Sequence, residues 1–88
     1  MRDIILKLIK KVIVPKYSNM KYEVSRSIND DEIEILVYYY TYDMDDNGKG
    51  IIDDTKMILS LLGLSNINVG NISFSDHNHI EITGTITK

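Results

Sequence analysis

Asp43, Asp45 and Asn47 alternate along the chain, Gly48 and Lys49 follow, and Asp54 closes the stretch. In a calcium loop of the EF-hand type these residues fall at positions 1, 3, 5, 6, 7 and 12, where carboxylate and carbonyl oxygens converge on the ion and a glycine makes the sharp turn. The match has departures. Gly50 stands where an apolar residue is usual, Ile51 offers no side-chain oxygen, and Asp54 is shorter than the bidentate glutamate. The segment before the loop also has the alternation of a strand, not the period of a helix. The competing reading is an acidic strand-to-helix connection, with Asp, Asn and Gly supplying turn geometry and a helix cap. The expectation is no cofactor, with calcium as the alternative this loop raises.

Two further groupings invite chemistry. Gly48-Lys49-Gly50 ahead of a helix resembles a phosphate cradle, but Asp43, Asp45, Asp46, Asp53 and Asp54 surround it and would repel an anion. His77 and His79, with Glu81 next on the same strand face, have the spacing of a surface metal site, but the reading preferred for them is solvated polar side chains at a hairpin tip. Cysteine is absent, the two histidines are near neighbours, and no nucleophile–base pattern occurs. The chain reads as a non-enzyme.

Two surfaces remain as candidates for binding. Leu36, Tyr38, Tyr40 and Tyr42 recur at every second position, on the face opposite Ile33, Ile35, Val37 and Tyr39. Tyrosine suits an interface because a rigid ring contributes much contact area and keeps a polar tip. Base stacking is the rival use, opposed by Glu32, Glu34 and Glu81 on that face. The second surface is the basic face of the N-terminal helix, Lys7, Lys10 and Lys11. It suits an anionic membrane or a protein groove, while the opposite, apolar face covers the protein's own sheet.

The elements that carry these residues follow from hydrophobic period. Ile4, Ile5, Leu8, Ile9, Val12 and Ile13 predict a helix over 3–14, stopped where Val14 precedes Pro15 and is pushed from the helical region. Alternation predicts strands over 20–28 and 32–42, joined as a hairpin through Asn29, Asp30 and Asp31. A second helix is expected over 54–62, capped by Asp53 or Asp54, buried through Ile58, Leu61 and Leu62, and ended by Gly63. Strands over 66–74 and 79–87 follow, separated by a turn at 75–78. A bulge is expected beside Gly70, where the phase changes between Val69 and Ile72. The order α-β-β-α-β-β makes one small α+β domain over 1–88, a four-stranded sheet with two helices packed on one face. Its halves share that order without sequence similarity, so no true repeat is inferred.

A chain of 88 residues supports one modest core. The net charge of −3 argues against a general nucleic-acid binder, although the stretch up to Lys21 is basic. No run of apolar residues is long enough for a membrane span, and lysines interrupt the N-terminal run where a signal peptide would need continuity. The bias toward Ile, Asn, Lys and Tyr, with no alanine, matches AT-rich codons. The basic apolar helix running into Val14-Pro15-Lys16-Tyr17, the tyrosine-rich segment 37–42 and the Leu61-Leu62-Gly63 helix end resemble small uncharacterised proteins of tailed phages with AT-rich genomes. That resemblance implies a virion or host-cytoplasm location and carries no specific activity. The expectation is a non-catalytic structural or interaction subunit of a larger assembly, whose partners are other protein subunits or copies of itself, with no small-molecule substrate. A calcium-binding module and a nucleic-acid accessory protein acting through Lys7, Lys10 and Lys11 are the alternatives.

Overall fold

The computed structural model describes residues 1–17, 20–42 and 48–87. The chain runs α1 (Arg2–Leu8), a π-helical continuation (Ile9–Ile13), β1 (Met20–Ile28), β2 (Glu32–Thr41), α2 (Lys49–Leu61), β3 (Ser65–Ser73) and β4 (Asn78–Thr87). The α-β-β-α-β-β order matches the sequence expectation. The strands form one antiparallel sheet in the order β1-β2-β4-β3. β2 and β3 both run antiparallel to β4 between them, so they are parallel to each other and α2 is the crossover that joins them.

Both helices cover the same sheet face. Ile5, Ile9 and Ile13 form a fully buried row that meets Val24 of β1, Ile35, Val37 and Tyr39 of β2, and Ile80 and Ile82 of β4. An α-helix completes more than a turn in four residues, so an i, i+4, i+8 row drifts around it. Between Ile9 and Ile13 the helix widens, and Val14 N–H reaches back to Ile9 O at 3.0 Å. A turn closed by i→i+5 bonds rotates less per residue and swings Ile13 back over the sheet. Pro15 gives the widening a second cause, because its ring cannot donate and would press on the carbonyl four residues earlier. Val14 keeps helical dihedrals (φ −54°, ψ −42°), contrary to the expectation that the following proline would expel it. The helix nonetheless stops there.

α2 differs most from expectation. It starts at Lys49, not at residue 54, behind Gly48 in the left-handed region (φ 77°), and no side chain caps it. Asp53 and Asp54 therefore lie inside the helix. Its buried stripe is Ile51, Thr55, Ile58 and Leu59, while Leu61, expected inside, is exposed. The shift follows from the five extra residues at the start, which bring Ile51 into the apolar period. Gly63 ends the helix as expected: Leu64 N–H bonds Leu59 O at 3.0 Å and Gly63 N–H bonds Ser60 O at 3.1 Å, the paired bonds of a Schellman motif.

The irregularity in β3 lies between Ser65 and Asn68, with Asn66 at φ 52°, and not beside Gly70. Val69 faces Ile82 on the covered side and Ile72 faces His79 on the open side, so the phase change marks two faces of one regular strand.

Within the apolar layer the Tyr39 and Thr55 hydroxyls form a buried hydrogen bond of 2.7 Å between β2 and α2. Burial holds the Tyr39 phenol far above its ordinary ionisation range. A phenol that keeps its proton longer when folded contributes stability that is present below the unfolded value of about 10 and lost as pH rises beyond it. Tyr39→Phe is expected to cost about 1 kcal/mol at neutral pH in urea denaturation and to flatten the fall in stability above about pH 10. At Gly48 an added Cβ would stand 2.5 Å from Ile80 Cδ1 in a backbone region that side chains avoid. Gly48→Ala is therefore expected to lower stability by more than about 1 kcal/mol, read by thermal unfolding.

Candidate interaction surface on the open sheet face

Among the described residues, no element covers the face of the sheet opposite the helices. Strand alternation places Leu36, Tyr38 and Tyr40 there, half-buried among their neighbours, and Tyr42 follows just past the strand end, 47% exposed. The four residues read as a stripe are thus brought together on one surface. Glu23 of β1 and Glu81 of β4 lie directly across from Tyr38 on its two sides; Lys21 and His79 flank Tyr40 in the same way. Between β1 and the tyrosines runs a groove of about 320 Å³ lined by Lys21, Tyr22, Glu23, Tyr38, Tyr40 and Tyr42. Gly70, lacking a side chain, leaves a smaller notch of about 90 Å³ beside Ile72, His79 and Glu81.

The β3–β4 turn extends the surface in a way the sequence reading did not reach. It closes with Phe74 N–H to His77 O at 2.8 Å. The His77 ring is stacked between Phe74 (centroids 4.6 Å apart) and Tyr40 (4.2 Å), and its Nδ1 lies 2.6 Å from the Asp76 carboxylate. Tyr42 packs edge-on to Tyr40 at 5.3 Å, and His79 edge-on to Tyr38 at 4.5 Å. Partial burial, together with the neighbouring Tyr42 hydroxyl, holds the Tyr40 phenol above its ordinary range. The signal in the sequence was the turn itself: a four-residue link at 74–77, one residue earlier than expected, places Phe74 and His77 side by side.

Phe74 and Tyr40 each turn one ring face onto His77, and the three rings form a ridge with exposed Ile72 alongside.

The other predicted sites fall elsewhere. Asp43, Asp45 and Asn47 lie outside the described residues. Lys49 and Asp54 are on α2, where the helix claims the Lys49 carbonyl that a calcium loop would turn toward the ion. The Asp54 carboxylate meets Lys16 Nζ at 3.2 Å and the Tyr17 hydroxyl at 3.4 Å, tying the connector after α1 to α2. Gly50 permits this contact, since a side chain there would collide with the Tyr17 hydroxyl. Lys49 Nζ bonds Asp53 at 2.8 Å one helical turn on, and that bond holds the Asp53 carboxyl below its usual range. Among the described residues no three His, Cys, Asp or Glu side chains group to hold a metal ion. His77 and His79 both reach the open face but are engaged by different tyrosines. Lys7, Lys10 and Lys11 are exposed on the outer side of the helix layer. Among the described residues no helix is long and apolar enough to cross a membrane.

Among the described residues, the buried nitrogens Asn78 Nδ2 and His79 Nε2 have no hydrogen-bond partner; Glu81 Oε1 stands 3.6 Å from the latter, beyond hydrogen-bond length.

Set against known families, curated proteins and solved structures, the chain matches none of them. The functional reading therefore rests on the surface alone.

Because Asp54 is already engaged, millimolar calcium is expected to leave the melting temperature unchanged. A rise on adding calcium, abolished by Asp54→Asn, would contradict that expectation.

Proposed function

We propose that the protein is a non-catalytic interaction subunit of a larger assembly, and that the open sheet face is the surface by which it docks onto another protein. The observation that carries this reading is the ridge made by Phe74, His77, Tyr40 and Tyr42 beside an adjoining groove. Rigid aromatic side chains with polar tips contribute contact area at low entropic cost, which is why they concentrate in interface centres. The resemblance to tailed-phage proteins supports a virion as the assembly, and the host cytoplasm as the place where it is built.

The test is photo-crosslinking in the source cell. A benzophenone side chain replacing Tyr42 or Phe74 is expected to give discrete protein adducts, whereas the same probe at Asp30, in the β1–β2 turn, gives none. Probes at Tyr42 and Phe74 that stay uncoupled would remove the docking role. Tyr40→Ser is expected to weaken the same adducts while changing unfolding stability by less than about 2 kcal/mol, since the ring is only half-buried.

A further inference from the structure

Among the described residues, the charges of the helix layer and of the open sheet face differ in sign. The helix layer exposes Lys7, Lys10 and Lys11, and among the described residues none of these forms an ion pair with a carboxylate. Asp53 and Asp54 on the same layer are already paired, with Lys49 and Lys16. The open sheet face exposes Glu23, Glu32 and Glu34, which among the described residues form no ion pair, and Glu81, which lies 3.6 Å from His79. Lys21 is the one lysine in those strand positions. Each layer also shows apolar side chains to solvent: Ile4, Met57 and Leu61 on the helices, Ile72, Phe74 and Tyr42 on the sheet side.

From this we infer that the partner of the open face is a second copy of this chain, seated head to tail, with its basic helix layer on the acidic aromatic sheet face of its neighbour. The inference rests on the docking role of that face and names its occupant. Two sheet faces brought together would set glutamates against glutamates, and two helix layers lysines against lysines; only the head-to-tail arrangement brings opposite charges together. The local geometry fits a lysine. Tyr38 lies between Glu23 and Glu81 across adjacent strands, so an incoming ammonium finds a carboxylate on either side of a phenol ring. Lys7, Lys10 and Lys11 are spaced three and four residues apart, which lines them along one helix face. The body measures 40 × 24 × 17 Å, so its broad face has room for the roughly 800 Å² per partner of a stable interface. A contact between two different faces of one chain does not close on itself as a two-fold dimer does. It grows into a ring or a filament.

Sedimentation over a wide concentration range tests this on the unaltered protein. At roughly 20 mM salt the mass is expected to climb well above the 10.1 kDa of one chain, and at roughly 1 M salt to return to it. Reversing the sheet charges (Glu23→Lys, Glu34→Lys, Glu81→Lys) or the helix charges (Lys7→Glu, Lys10→Glu, Lys11→Glu) should each weaken association about tenfold or more. Mixing the two variants should restore it, because each now complements the other. Circular dichroism confirms that both remain folded. A mass fixed at 10.1 kDa under all conditions overturns the inference. So does association indifferent to salt, or a mixture that fails to recover. The crosslinks separate this failure from that of the docking role: adducts from Tyr42 or Phe74 to a different polypeptide would refute self-assembly and leave the open face a docking surface.

Discussion

The structure depends on one apolar contact: the isoleucine row of the N-terminal helix pressed, together with α2, onto the inner faces of β1, β2 and β4. Ile5, Ile9, Ile13, Ile35, Ile51, Ile80 and Ile82 are all but fully withdrawn from water, and Tyr39 is buried among them. A chain this small has one such layer to close. Once both helices are committed to one side of the sheet, the other side has no helix among the described residues to cover it. The exposed aromatic surface is thus a consequence of where the core lies.

The layered arrangement also accounts for the local irregularities. The π-helical widening keeps Ile13 in line with Ile5 and Ile9. The left-handed Gly48 lets α2 begin against Ile80, and Gly50 lets Tyr17 lie close to that helix and reach Asp54. These three departures sit where a helix meets the sheet or the connector that follows α1.

Much of this was legible in the residues. Alternation located β1 and β2, assigned Ile35, Val37 and Tyr39 to the inside, and set Leu36, Tyr38, Tyr40 and Tyr42 on the opposite face. Gly63 marked the end of α2 because only a left-handed residue makes that cap easily. The start of α2 was not legible: Asp53 and Asp54 look like caps, and Gly48-Lys49-Gly50 looks like loop, yet the helix runs through from Lys49 with its apolar stripe on Ile51. Tertiary burial of Ile51 outweighed the weak local preference of a glycine against helix. The stacking of Phe74 and His77 on Tyr40 was out of reach for a different reason. It depends on which strands are neighbours, and periodicity within a strand says nothing about strand order.

Tyrosine modification read by mass spectrometry probes the central claim, that one sheet face is core and the other is a docking face, most directly. Tetranitromethane should modify Tyr42 in dilute protein and spare Tyr39. In the assembled state recovered from the source cell, Tyr42 should become protected as well. Modification of Tyr39 in the folded chain, or Tyr42 equally reactive in both states, would contradict the account.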